Sequence, residues 1–420
     1  MNGDAHRPAP TTSVSRLLRT RPVRSLRGGG SQETVRRLAR RAYRTTGAAA
    51  LDFPLRPEDV VDSTTLRARA APVSPTIDGR PTVGWVCAPP GPGSGGHTTM
   101  FRMIASLEAA GYRCVVALHD PFGVDLARYT RVIRTHWPAV AATVVDVDDG
   151  LPSTAAWIAT SWPTAHVLGA RPGVGGERFY FVQDYEPYFH PAGSEYALAE
   201  DTYRFGFRIL ALGRMVRDEI ARAVGVESTL VPFGLDTTVY RFLGSGPRRG
   251  IAFYSRPDTP RRGSVLAGLA LDRFHALRPD HPIHLVGDRP PHMTAPVIAH
   301  GRLDPDGLAA LYNATVCGLG LSFTNSSLVV EEMAACGVQV VVNDAPGARA
   351  DVTHPGVTWV QPGPSAIANA LCAAVDADPS TIAARAQRTA DASCMPAWSD
   401  AGAVLVEAIE RVLTRSGARS

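Results

Sequence analysis

Between Leu319 and Asp344 the sequence reads as a strand, a polar loop, a short helix and a second strand, with Glu332 inside the helix and Gly337 closing it. That order can set a carboxylate and a helix N-terminus beside one nucleotide, the carboxylate on the ribose diol and the helix end on the phosphates. Thr324, Asn325, Ser326 and Ser327 form the loop before the helix, and the two serines can cap it. Glu331, beside Glu332, is expected on the solvent face. In Tyr254–Gly263, YSRPDTPRRG, Arg256 and Arg261 follow a strand and precede a helix. Two guanidiniums and a helix N-terminus would clamp a diphosphate. Phe181–His190, FVQDYEPYFH, sets Asp184 and Glu186 among Tyr185, Tyr188 and Phe189. Aromatic faces with carboxylates suit sugar rings, whose CH faces stack and whose hydroxyls donate. In Pro89–His97, PPGPGSGGH, Gly95 and Gly96 let the backbone approach an anion at a helix start. His97 is expected to begin that helix rather than act as a base. Gly287 and Leu303 are lesser loop positions, and Leu303 could lie against a base.

Each stretch also has a plainer reading: a tight strand-to-helix turn, an aromatic surface loop, solvated arginines, or an acid on an open helix face. The glycine loop is not the dinucleotide fingerprint G-x-G-x-x-G, and no acid ends the second strand.

The elements that must position these loops alternate. From Pro81, strands fit Thr82–Cys87, Tyr112–Leu118, Ala142–Val147, Ala156–Ala159, Arg178–Gln183, Phe207–Ala211 and Ser228–Val231, with a helix over His97–Ala110 and others between most of the strands. Pro232–Phe242 breaks the pattern. It restarts with strands at Ile251–Tyr254, Ile283–Val286, Val316–Leu321 and Val338–Val342, and helices at Ser264–Leu277, Pro305–Asn313 and Leu328–Cys336. Apolar strands spaced by helices predict parallel sheets covered on both faces. The expected class is therefore α/β: two facing, Rossmann-like doubly wound domains with a cleft between them, where strand C-terminal ends meet a ligand. The expected divisions are a basic extension and linker over 1–80, a first domain over 81–240, a second over 241–395, and a final segment over 396–420. The last segment's helix, near Ala401–Leu413, is expected to return to the first domain.

Composition narrows the classes. Hydrophobic residues make up 45% and charged residues 20%, which allows a large core. No apolar run approaches the length of a membrane span, and no apolar segment follows the basic N-terminus as in a signal peptide. The six cysteines form no C-x-x-C pair, so buried thiols in a reducing cytoplasm are expected and zinc is not. Every basic side chain apart from histidine is Arg, so no single arginine can be read as chosen over lysine. Residues 1–50 carry 11 arginines against Asp4 and Glu33, and the remainder 32 arginines against 37 acids. The basic N-terminus, with a short helix expected over Ser31–Arg44, could touch a membrane surface or another anionic partner. It could equally be a solvated arm.

Taken together, these stretches resemble the GT-B glycosyltransferases of family 4 over about residues 81–378. PFGLDTTVYRF resembles the family's interdomain N-G-V-D…F segment through Gly234, Asp236 and Phe242. SRPDTPRRG resembles its diphosphate clamp, with Arg256 and Arg261 in the basic positions. SLVVEEMAACG resembles the second half of the E-x7-E motif, with Glu332 in the ribose-binding position. The first acid of that motif is replaced by Thr324. This loss, together with YSRPDTPR, FVQDYEPYF and SEYALAEDTYR, resembles rhamnosyltransferases of the rhamnan-synthesis type. The resemblance implies a metal-free, cofactor-free hexosyltransferase. It would retain anomeric configuration, using a nucleotide-diphospho-sugar such as dTDP-rhamnose and a glycan or lipid-linked glycan acceptor. Gly95, Gly96, Gly287, Leu303 and residues 324–327 would line the donor site. Asp184 and Glu186 would bind or assist the acceptor, and Arg256 and Arg261 would stabilise the leaving diphosphate. Nucleic acid is not an expected partner. Two alternatives stay open: a nucleotide-sugar 2-epimerase, and a non-catalytic nucleotide-sugar-binding protein.

Overall fold

The computed structural model describes residues 53–66, 76–77, 79–244, 246–325 and 328–417, with Val35 and Leu38 besides. The chain divides into two units, 1–54 and 55–420. In the first, Val35 and Leu38 are helical and exposed. The rest of the basic helix expected there lies outside the described residues.

The second unit holds two sheets. One contains β1 (Thr76–Ile77), β2 (Arg80–Cys87), β3 (Arg113–Leu118), β4 (Thr143–Asp146), β5 (Ala156–Ala159), β6 (Glu177–Val182), β7 (Arg208–Leu212) and β8 (Thr229–Val231). Its order is β4-β3-β2-β5-β6-β7-β8, parallel throughout, with β1 antiparallel on β2. The other contains β9 (Ile251–Ser255), β10 (Ile283–Gly287), β11 (Ile298–Gly301), β12 (Cys317–Leu319), β13 (Gln339–Asn343) and β14 (Val357–Val360), in the parallel order β11-β10-β9-β12-β13-β14. β11 and β14 sit at the edges. They are the strands that the apolar runs do not announce, because Ile298–Gly301 is largely exposed and Val357–Val360 only half-buried.

Central strands carry apolar residues on both faces because helices cover both. Val83, Trp85 and Val86 of β2 and Trp157 and Ile158 of β5 are fully enclosed. The chain order reverses between β2 and β5 in the first sheet and between β9 and β12 in the second. In an open parallel sheet such a switch point leaves a crevice at the strand C-terminal ends. The glycine loop follows β2, the arginine loop follows β9, and the loop ending in Asn325 follows β12.

Two segments outside the sheets are docked on the first domain. Residues 55–66, expected as part of an irregular linker, have little regular structure but are not loose. Leu55 is buried, Asp59 pairs with Arg171 at 2.7 Å, and Asp201 accepts from the Ser63 backbone N–H at 2.8 Å and its hydroxyl at 2.6 Å. The final helix, Trp398–Gly417, buries Ala401, Leu405 and Ile409 in the first domain's core with Met100, Ile104 and Leu107. Among the described residues no helix is long and apolar enough to cross a membrane.

Candidate functional site

The arginine loop opens at the end of β9. Arg256 is exposed; its Nη2 donates to the Gly93 carbonyl at 3.3 Å and to the Tyr254 hydroxyl at 3.3 Å. Pro260–Arg262 then forms a single 3-10 turn, ended by Gly263 before the helix Ser264–Leu277. That turn sends two adjacent arginines opposite ways. Arg261 points across the cleft: its Nε donates to Asp184 Oδ2 at 3.0 Å, and its guanidinium lies 4.0 Å from the Phe189 ring centre. Arg262 turns inward, donating to the Ser322 hydroxyl at 2.8 Å, the Asn325 carbonyl at 3.2 Å and Asn325 Oδ1 at 3.3 Å. Loss of solvent around that guanidinium lowers it to about 10. Counting from Arg256 singles out Arg261, and counting back from Gly263 would have singled out Arg262. The doubled arginine was the available signal for its structural role.

The loop after β12 is held by buried Asn343 at the end of β13. Asn343 accepts from the Ser322 backbone N–H at 2.7 Å and donates to the Ser322 carbonyl at 2.7 Å. This sets Thr324 and Asn325, both buried, against the first domain. The Thr324 hydroxyl donates to Asp184 Oδ2 at 2.9 Å, and the Asn325 amide donates to the Gln183 carbonyl at 2.7 Å. Asp184, from the first domain, therefore meets Arg261 and Thr324 from the second. Burial raises its carboxyl above the usual carboxylate range, while Arg261 and Arg262 pull the other way. Ser326 and Ser327 lie outside the described residues.

Glu186 has a different use. Its carboxylate accepts from the Trp162 backbone N–H, at the first turn of the helix Trp162–Gly169. Burial pushes it up to about 8 against that hydrogen bond. A buried acid on a helix N-terminus compensates orphan backbone donors, so its geometry is that of a structural cap.

Glu332 and Glu331 divide contrary to expectation. Glu331 is the more buried, 6% exposed, and burial pushes it up to about 7. The solvent-face reading of Glu331 fails because the helix Leu328–Ala335 is covered on that side too. Glu332 is half-buried and also pushed up to about 7, with Arg102 and Arg256 favouring its charged form and Asp236 opposing it. Arg102 lies on the first domain's helix Gly95–Ala109, 4.7 Å from the Trp398 ring centre. Nothing in its local sequence marks it as a partner for Glu332, since that proximity exists only once the domains face each other.

Gly95 and Gly96 are exposed at the start of that same helix, capped by Ser94. Both His97 ring nitrogens are engaged, Nδ1 with the Ser94 hydroxyl at 2.8 Å and Nε2 with the Ala88 carbonyl at 3.1 Å, as befits a helix-start residue. Gly287 ends β10 at φ +84°, where a Cβ would lie 2.4 Å from the Ser255 carbonyl oxygen. Only glycine suits that turn. Leu303 is half-buried against a cluster containing Leu308, Tyr312 and Val330. The structure thus gathers Asp184, Arg261, Thr324 and Asn325 into one hydrogen-bonded group. It sets Arg256 between the glycine loop and Glu332, and leaves Glu186 committed to a helix end. Among the described residues no group of three or more His, Cys, Asp or Glu could hold a metal ion.

Comparison with known proteins follows the same lines. Residues 249–372, the bulk of the second domain, match the family described as WsaF, C-terminal domain. Over 227 residues the chain is 34% identical to the O-antigen biosynthesis protein RfbC of Myxococcus xanthus. The match covers 52% of this chain and 18% of that protein, so the chain spans less than a fifth of that relative's length. Among solved structures, Anabaena Alr3699/HepE, crystallised with UDP and glucose, superposes with a TM-score of 0.57 at 15% identity, covering 79% of this chain and all of that one (100%). The fold is GT-B. WaaG, a glycosyltransferase involved in lipopolysaccharide biosynthesis, superposes equally well, with a TM-score of 0.57 at 14% identity, over 78% of this chain and 99% of its own. At such identities the likeness speaks to the GT-B architecture and not to substrates.

Proposed function

We propose that this chain is a glycosyltransferase of cell-surface polysaccharide assembly, moving a sugar from a nucleotide-diphospho-sugar to a glycan or lipid-linked glycan. One observation carries the reading. Arg256 from the loop after β9 reaches the glycine loop at the Gly93 carbonyl, Arg261 from the same loop reaches Asp184 of the first domain, and Glu332 of the helix Leu328–Ala335 lies in the field of Arg256 and of Arg102 from the first domain's helix Gly95–Ala109. Cations for a diphosphate, a carboxylate for a diol and a helix N-terminus then share one cleft. The name of RfbC, an O-antigen biosynthesis protein, supports the polysaccharide context.

In this reading a bond forms between an acceptor oxygen and the anomeric carbon as the bond from that carbon to the diphosphate breaks. Arg256 and Arg261 stabilise the leaving charge, and the leaving phosphate takes the acceptor proton. Configuration at the anomeric carbon is retained. No protein carboxylate is then required as base, which agrees with Glu186 being occupied elsewhere. A 6-deoxy sugar, dTDP-rhamnose, is the proposed donor, because Thr324 offers the donor pocket no acid and turns its hydroxyl to Asp184. The proposed setting is the cytoplasmic face of the membrane, with the basic N-terminal residues as a surface contact.

Purified protein incubated with radiolabelled dTDP-rhamnose and a lipid-linked acceptor tests this. Label transferred to the lipid fraction supports it. An epimerised nucleotide sugar formed without acceptor, or binding with no product under any acceptor, would replace it with one of the two alternatives.

A further inference from the structure

Arg261 is held in an unusual way for a phosphate-binding arginine. Its Nε is taken by Asp184, and one face of its guanidinium is covered by Phe189. Both partners come from a single loop of the opposite domain, Gln183–His190. Among the described residues, neither Nη of Arg261 has a hydrogen-bond partner, whereas both Nη groups of Arg262 are spent on Ser322 and Asn325. Asp184 is itself fixed. Its Oδ1 accepts from the Tyr185 backbone N–H at 2.9 Å, and its Oδ2 accepts from Thr324 as well as Arg261. Two further contacts frame this group: Asn325 to the Gln183 carbonyl across the domains, and, within the first domain, Gln183 Nε2 to the Gly96 carbonyl at 3.1 Å.

We propose that Asp184 is a positioning residue that aims the Arg261 fork across the cleft, so that the anion clamp is assembled by both domains and completed only when they close. A guanidinium offers a bidentate edge only in one plane. Holding Nε from one side and the ring face from another removes rotamer freedom that the ligand would otherwise have to overcome. Thr324 fits the same scheme. A carboxylate at that position would stand within hydrogen-bond distance of Asp184 Oδ2, and two such acids cannot both ionise in a buried site. A neutral hydroxyl at 324 brings no second acid beside Asp184 and donates to the same oxygen as Arg261.

This proposal rests on the cleft binding a nucleoside diphosphate, and the experiment separates the two. Binding of dTDP and of thymidine is titrated calorimetrically on the full chain and on Arg261→Ala, Asp184→Ala and Asp184→Asn. If Arg261→Ala leaves dTDP affinity unchanged, the phosphate-clamp reading itself fails. If Arg261→Ala weakens dTDP, Asp184→Ala is expected to weaken it about tenfold, the scale of a lost hydrogen bond to a charged group. Thymidine binding should be unaltered, and Asp184→Asn, whose amide oxygen can still accept from Nε, should recover part of the loss. Equal losses for dTDP and thymidine would reduce Asp184 to a structural residue. Unchanged or tighter dTDP binding in Asp184→Ala would also overturn the proposal, the latter meaning that Asp184 competes with the phosphate. Should Asp184→Ala not fold, Asp184→Asn against the parent decides alone, a measurable dTDP-specific weakening being required.

Discussion

The loops Gln183–His190 and Ser255–Gly263 stand at corresponding places, each leaving the C-terminal end of a strand of its own sheet and facing the other across the cleft. They use charge in opposite ways. The first spends its acids: Asp184 and Glu186 are 5% and 4% exposed, one anchoring Arg261 and the other capping a helix. The second keeps two cations within reach of the cleft, Arg256 and Arg261, and buries only the guanidinium of Arg262 in its own frame. Strand ends decide where a charge can stand. Whether it is left for a ligand depends on the hydrogen bonds already made to it.

The sharpest way to break this contrast is to remove one arginine at a time. Arg256→Ala or Arg261→Ala should lower turnover of a nucleotide sugar by about 10²–10³, and for the exposed Arg256 the melting temperature should barely change. Unaltered kinetics would remove the second loop from the chemistry. Arg262→Ala should do the reverse, costing roughly 2–3 kcal/mol of unfolding free energy in a urea titration. Ser322 and Asn325 lose their buried charged donor, and an inert Arg262→Ala would abolish the distinction between the neighbours.

The first loop can be probed by pH. Burial raises Glu186 from an ordinary 4.5 to about 8. The folded state then binds a proton more tightly than the unfolded one, so stability is greatest below about 4.5 and is lost as pH rises towards about 8. Glu186→Gln keeps an acceptor for Trp162 and should flatten that decline between these limits. Equal slopes in parent and variant, measured by thermal unfolding at several pH values, would place the Glu186 carboxylate in a wetter setting.

A smaller effect is expected away from both loops. Asp351 of the second domain accepts from the backbone N–H groups of Arg214 at 2.6 Å and Met215 at 3.2 Å, at the N-terminus of the first domain's helix Arg214–Val224. Asp351→Asn should cost about 1 kcal/mol, seen as a slightly lower melting temperature with normal donor binding.

Sequence periodicity was a good guide to the sheets, because fully buried parallel strands are apolar runs. Ile251–Ser255, Ile283–Gly287 and the helix Ser264–Leu277 fall where those runs lie. It was a poor guide to the edge strands, which have one face open. For the site, residue types announced the loops but not the partners. Arg256 and Arg261 are visible as a spaced pair, whereas Asp184 meeting Thr324 spans 140 residues and two domains. Glu331 and Glu332 differ by one helical step, and only the covering of the helix decides which is enclosed. Arg262 could not be separated from Arg261 without the 3-10 turn that rotates them apart.

The chain passes between the two domains twice, after β8 and again just before the final helix. These passages touch: the Leu235 backbone N–H donates to the Pro396 carbonyl at 2.9 Å, and Leu235 bridges Ala397. Two crossings joined at one point behave as a door hung on paired pins. Opening the cleft then becomes a swing about that line rather than a free drift, and ends removed from it travel furthest. Removing the chain from Pro396 onward would therefore do more than expose Met100 and Ile104. It would leave the door on a single pin, free to twist as well as swing.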